Sequence, residues 1–318
     1  MRNVVLFGDS ALAMARSQLG PFLAAAAEHP RFQVAAVVDT STRPSPGWSQ
    51  RLQGRIKRGL IGACNPGSKA FLRPTPDLRS TAAAYDLSLI RPSERDINTP
   101  EFRDWVRSLP SPRVAISLGC LQIFKQDLID CFEQTVNFHN GLLPDYRGLG
   151  ATAWSLYNGE PRSGFSFHRM TAEVDAGPVL VDGSVPVDDG TFPGVLESRK
   201  LETAAKLAPR VLDAIDRNDP GRPAPAGSGS LYTGRDRRAI QRIEHPAQLT
   251  AAEIERRSRC FTELKIRLDD GWWPVTATSA RGRPAIPTAD GGPLGVARAR
   301  FLPPWLYRVA RLAGFGAP

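Results

Sequence analysis

Val4-Val5-Leu6-Phe7 is an unbroken apolar run that stops at Gly8-Asp9-Ser10 and gives way to an alanine-rich stretch reaching Ala27. The pattern then recurs, with Phe32 to Val38 apolar and Asp39 ending it. A short continuous apolar run closed by a turn reads as a buried strand, and the stretch between the two runs is long enough only for a helix. Strand, helix and strand at this spacing form a βαβ unit, which commits the chain to a parallel sheet with helices packed on it. A lone Gly8 is not a Gly-x-Gly-x-x-Gly fingerprint, so this first turn gives no support for a dinucleotide site.

The rest of the first two thirds extends the same architecture. Asp86 to Ile90 is predicted as a third strand, Arg113 to Leu118 as a fourth, and a helix over Lys125 to Cys131 leads into a strand at Thr135 to His139. Ala151 to Tyr157 is predicted helical, with strands at Gly164 to Met170 and Val179 to Val181. Val195 to Arg217 has helical spacing and should bend or break at Pro209. The expected fold is α/β: a Rossmann-like, mostly parallel sheet with flanking helices over residues 1–217. Asn218 to Ser230 is rich in Pro, Gly and Ser, and a linker is expected at 218–234. Residues 235–318 then form a small, mainly β C-terminal domain, with a capping box at Thr250 to Glu253 opening its helix and strands near 264–268, 272–278 and 294–300.

Charge and cysteine usage narrow the class. The net charge of +9 invites a nucleic-acid reading, but most of the excess lies between Ser41 and Arg79, where eight Lys and Arg meet one acidic residue. A solvated basic loop and an anion-binding surface both fit that segment. Cys64, Cys120, Cys131 and Cys260 form no Cys-x-x-Cys pair, which argues against a zinc ribbon or dithiol site and suits reduced thiols in a cytoplasmic protein. Neither a secretory leader nor a membrane span is expected. No His, Cys and carboxylate set has metal-ligand spacing.

The densest chemical signal is Val136-Asn137-Phe138-His139-Asn140-Gly141-Leu142-Leu143-Pro144-Asp145-Tyr146-Arg147-Gly148. Alternate residues of a strand face the same side, so Asn137 and His139 project together from a strand's carboxyl end, where open α/β sheets bind ligands. An amide donor beside an imidazole can stabilise an oxyanion and move a proton, the two demands of acyl transfer. The same pair is also a satisfied polar strand end, and Asp175 in Val174-Asp175-Ala176-Gly177-Pro178 reads equally as a turn-former. His168 and His245 are assigned no role.

Taken together, the run N-x-H-x-G-L-L-P-x-Y-R-G and the downstream Val174 to Leu180 element resemble the folate-dependent formyltransferases, a family that includes methionyl-tRNA formyltransferase, glycinamide ribonucleotide formyltransferase and the sugar N-formyltransferases. The likeness is close from Arg113 to Val187 and loose elsewhere. It implies Asn137, His139 and Asp175 as the catalytic group and 10-formyltetrahydrofolate as formyl donor. It also implies a folate pocket drawn from Leu121, Gln122, Ile123, Gly141, Leu142, Leu143 and Val174, although Leu121 and Ile123 would equally suit core positions at a helix entrance.

The acceptor expected on this basis is the amine of a small metabolite, such as an amino sugar or a hydroxyornithine. The tRNA enzyme's pattern is departed from at Gly8-Asp9-Ser10, in the long Thr40 to Pro76 insertion, and at Gly141 and Tyr146. Transfer to tRNA is therefore the alternative, followed by formyl-folate hydrolysis or a silent binding relative. Phe301 to Tyr307 could serve a homodimer contact or pack on its own domain.

Overall fold

A computed structural model describes residues 1–42, 76–225, 228–261, 264–268, 271–279, 285–286, 288–291 and 294–298. Most of the basic Ser41 to Arg79 segment and all of Phe301 to Tyr307 lie outside the described residues. The core is a seven-stranded sheet: β1 (Arg2–Gly8), β2 (Phe32–Asp39), β3 (Leu89–Ile90), β4 (Arg113–Ser117), β5 (Gln134–His139), β7 (Arg162–Arg169) and β8 (Val179–Pro186), in the order β3-β2-β1-β4-β5-β7-β8. A short strand β6 (Arg147–Gly148) lies outside this sheet. The first five strands run parallel, and β7 and β8 add antiparallel pairings at one edge.

The central strands β1 and β4 bury both faces, as their unbroken apolar runs require. In β1, Val4 and Leu6 join the cluster under α1 (Ala13–Glu28), while Val5 and Phe7 join the opposite cluster with Ile97, Phe102 and Val106. The second layer includes a helix at Pro100–Ser108, not foreseen from sequence, whose N-cap Thr99 accepts from Phe102 N.

Three expectations shift. Only Leu89–Ile90 of the third strand forms, because Asp86 takes φ +57° and Leu87 N bonds Ala82 O to end the helix Leu78–Ala83. The helix expected over Lys125 to Cys131 is one turn, Gln126–Ile129. The closing helix breaks rather than bends: Pro193–Ala205 is followed by Ala208–Asp216, with Pro209 in the first turn of the second piece, where its missing N–H costs nothing.

The segment expected as a linker is tied down by backbone bonds. Val179 and Arg222 exchange hydrogen bonds of 2.9 and 2.8 Å, and β9 (Leu231–Tyr232) pairs in parallel with β6. Arg147 N bonds Ser230 O and Leu149 N bonds Tyr232 O. Beyond it a five-stranded sheet, β10 (Arg242–Ile243), β11 (Lys265–Leu268), β12 (Gly271–Ser279), β13 (Ala285–Ile286) and β14 (Leu294–Arg298), packs on the helix Ala251–Cys260. Thr250 caps that helix through Glu253 N, while the reciprocal capping box stands earlier, at Thr233 and Asp236. Tyr232 stacks between Tyr146 and Trp154, with ring centroids at 5.8 and 4.5 Å, and Phe261 closes the group against Trp154. Among the described residues no helix is long and apolar enough to cross a membrane.

Candidate active site

Strand register assembles the site. In β5, Val136 and Phe138 face the core with Phe165 and Phe167 of β7, so Asn137 and His139 must face the other side. The antiparallel pairing sets Asn137 opposite His168 and His139 opposite Ser166. Asp175 returns to the same place on the loop between β7 and β8, at φ +49°.

Four polar side chains converge there. His139 Nδ1 lies 3.3 Å from Asp175 Oδ2, and His168 Nε2 lies 3.4 Å from Asp175 Oδ1. Asn137 Nδ2 is 3.1 Å from His168 Nε2 and 3.4 Å from Asp175 Oδ1. Because His168 Nδ1 sits 2.8 Å from the Arg169 carbonyl, that nitrogen carries the proton and Nε2 is free to accept from Asn137. His168 thereby fixes which way the Asn137 amide points. The second Asn137 N–H is directed at Asp175 Oδ1, the longer of its two contacts at 3.4 Å.

The His139 ring is held from two sides. Nε2 donates to the Tyr146 carbonyl at 2.5 Å, and Nδ1 faces the carboxylate. Two residues further on, Gly148 N donates to Asp175 Oδ2 at 2.9 Å, so backbone groups of one short segment position both partners. Gly148 stands at φ +84°, a conformation that glycine adopts without strain. Gly141 is required by space instead: a Cβ there would lie 2.6 Å from Ala151 Cβ and 2.7 Å from His139 Nε2.

Burial works against the Asp175 charge, but the two flanking histidine rings, His168 first, and the Gly148 N–H outweigh it and bring the carboxyl down to about 2. Burial pushes His139 below its ordinary value, against the pull of Asp175. The resting pair is therefore an ionised carboxylate beside an imidazole that is neutral near pH 7. Such a pair can take a proton from an attacking amine, while an oriented amide donates to a developing oxyanion.

The formyl transferase family profile matches residues 80–212, a span that contains all four of these side chains. Over those residues the chain is similar to the formyl transferases. A methionyl-tRNA formyltransferase of Geobacter sulfurreducens is 31% identical over 142 residues, 44% of each chain. A GDP-perosamine N-formyltransferase of Brucella melitensis is 37% identical over 98 residues, 31% of this chain and 38% of that one. The matched stretch thus spans less than half the length of these curated relatives. A solved N-formyltransferase from Helicobacter canadensis, in complex with folinic acid and dTDP-3-aminofucose, superposes with TM-score 0.59 at 16% identity, covering 94% of this chain and 100% of that one. A sugar N-formyltransferase from Shewanella sp. gives TM-score 0.60 at 16% identity over 85% and 94% of the two chains. At such identities the likeness is one of fold.

The expected folate contacts divide into two groups. Leu121 and Ile123 leave β4 on the loop beside Asn137's strand and stand 65% and 64% exposed, so they are not core residues. Val174, next to Asp175, is 40% exposed, and its carbonyl is gripped by the Arg147 guanidinium. Gln122 turns inward, giving its amide to Thr40 O at 2.6 Å and Arg95 O at 3.0 Å and accepting from Ile97 N. Leu143 is buried, with Leu143 N on Ser166 Oγ, and Leu142 packs over Gly164. These last residues and Gly141 shape the loop from behind.

His168 was passed over from sequence. The signal was present in Phe165-Ser166-Phe167-His168, whose alternation puts His168 on the face opposite two core phenylalanines, as Val136 and Phe138 do for Asn137 and His139. Its pairing with Asn137 required the strand register.

Proposed function

We propose that this chain is a formyltransferase that transfers the formyl group of 10-formyltetrahydrofolate to the amine of a small metabolite, with Asn137, His139 and Asp175 as catalytic residues and His168 orienting Asn137. The observation that carries the reading is the convergence of these four side chains at the carboxyl end of β5, with exposed apolar side chains on the loops after β4 and before β8. Leu121, Ile123 and Val174 suit the flat, largely apolar ring system of a folate, because exposed apolar surface gains by covering such a ligand.

The acceptor nitrogen attacks the formyl carbon, forming a C–N bond as the carbonyl oxygen gains charge. The Asn137 N–H that makes the long 3.4 Å contact with Asp175 Oδ1 turns to donate to that oxygen. The proton released by the acceptor passes to the His139–Asp175 pair, where an imidazolium would sit against an ionised carboxylate. The carbon–N10 bond then breaks, N10 takes back a proton, and tetrahydrofolate leaves.

Amino sugars carried on nucleotides are the acceptor class this reading favours, supported by the name of the Brucella relative and by the ligand of the Helicobacter structure. The Geobacter relative and the net charge of +9 support methionyl-tRNA as the second reading. The deciding experiment offers 10-formyltetrahydrofolate with nucleotide-linked amino sugars, hydroxyornithine and methionyl-tRNA, and reads the mass of each acceptor together with released tetrahydrofolate. Transfer to an amino sugar is expected. Release of tetrahydrofolate with every acceptor unchanged would replace transfer by hydrolysis.

A further inference from the structure

Lys200, on the helix Pro193–Ala205, is fully buried and takes no part in the transfer steps above. Its Nζ reaches three oxygens: Thr152 Oγ1 at 2.7 Å, Asn140 O at 2.8 Å and Ser163 Oγ at 3.4 Å. The neighbouring hydroxyls are ordered to receive it. Ser155 Oγ donates to Thr152 O at 3.1 Å, so the 2.7 Å contact between Ser163 and Ser155 carries Ser163's proton. Ser163 therefore turns a lone pair to the lysine, and the three donors of an ammonium meet three acceptors.

The elements it joins are the ones that hold His139. Asn140 follows His139 in the chain, and Thr152 lies on the helix Ala151–Tyr157. Gly141 is wedged between that helix, at Ala151, and the His139 ring at Nε2. Lys200 bridges loop and helix one residue away from this wedge on either side. Burial drives its pKa down to about 7, against the attraction of Glu197 on the same helix, and His139 across the loop is the other ionisable group that feels its charge.

We propose that Lys200 is a positioning residue for His139: by clamping the Asn140 carbonyl to the Thr152 hydroxyl, it holds the loop that seats the imidazole between Tyr146 and Asp175. A buried amine that served only as filler would be replaced by an apolar side chain of similar length at little cost to the fold. The proposal rests on the assignment of His139 to transfer, so its test includes a readout that needs no transfer.

In Lys200→Met, the imidazole ¹⁵N resonances of His139 are expected to move and its titration to shift upward, since a nearby positive charge is gone. The variant's kcat should fall about tenfold while the folate KM stays within about twofold, the split expected when a reacting group is misplaced rather than a binding surface lost. Where wild type shows no transfer, the proposed function fails and the His139 spectrum still decides the clamp. If Lys200→Met does not fold, Thr152→Val and Thr152→Ser replace it: valine should reproduce the His139 shift and serine should restore the wild-type spectrum. Unmoved His139 resonances in a folded Lys200→Met, or valine and serine variants that behave alike, would overturn the proposal.

Discussion

The proposed site has two parts, a polar wall and an apolar wall, built on opposite principles. On one, Asn137, His139, His168 and Asp175 are largely withdrawn from water, and their polar contacts run to one another or to backbone. On the other, Leu121, Ile123 and Val174 stand in water. The polar wall stores its organisation in advance, because charge and hydrogen-bond donors act in a transition state only if they need not reorganise when it forms. The apolar wall needs no such order, since burial of apolar area is non-directional and is gained when a ligand arrives. The contrast separates rate from affinity, and it can be attacked from either side.

The largest effect is expected on the polar wall. His139→Ala and Asp175→Asn should each lower kcat by on the order of 10² to 10³, with the folate dissociation constant little changed. His168→Ala should follow in the same direction but more weakly, because Asn137 keeps its N–H groups and loses only their orientation. Single-turnover rates and folate titration, measured separately, check the split. A His139→Ala enzyme with near-normal turnover would remove the cluster from the mechanism.

The organisation of the polar wall should also appear as acid lability. Asp175 is held at about 2, below the ordinary carboxylate value, so its ionised form is stabilised by folding. The sign follows: this contribution is complete above about pH 4 and disappears as pH falls toward 2, and the shift corresponds to roughly 2 kcal/mol. His139, with its pKa lowered by burial, adds lability in the same direction but in the window below its own ordinary value. Urea midpoints at pH 5 and pH 2.5 should therefore lie further apart in wild type than in Asp175→Asn. Equal spacing would mean that the carboxylate is not held as the geometry implies.

The apolar wall should respond in affinity. Replacing both Leu121 and Ile123 by Ser is expected to weaken folate binding by about tenfold while leaving kcat within about twofold, since partial burial of two such side chains contributes one to two kcal/mol. Both positions are about two-thirds exposed, so the variant's melting temperature without ligand should lie close to wild type. A fall in kcat with unchanged affinity would move these side chains into the chemistry.

Much of this was legible beforehand, and the pattern of what was not has a physical cause. The βαβ start, the strand ending at His139 and the helix Ala151–Tyr157 follow from apolar periodicity, which burial enforces locally. Asn137 and His139 share a face by the period of a strand alone. His168 entered the cluster through antiparallel register, a non-local property that no short window contains. Lys200 reaches Asn140 across 60 positions, and Gln122 reaches Thr40 across 82, so neither tie could be read from neighbours in sequence. Leu121 and Ile123 looked like either core or lining, and only exposure separates those readings.

The smallest effect concerns the basic residues Arg55, Lys57 and Arg58, and it tests whether two walls suffice. A small acceptor needs nothing beyond the crevice, whereas tRNA would need a third, electrostatic surface. Each phosphate neutralised by a protein cation releases condensed counterions, so binding through several phosphates falls steeply as salt rises. A metabolite with one or two phosphates has little counterion atmosphere to release. Charge reversal at Arg55, Lys57 and Arg58 is therefore expected to change transfer to a nucleotide-linked amino sugar by less than about threefold and to leave its weak salt dependence in place. Transfer to methionyl-tRNA should be slow at physiological salt in both forms. Fast, salt-sensitive formylation of methionyl-tRNA that the charge-reversed protein loses would make the basic segment a third wall and the tRNA reading the correct one.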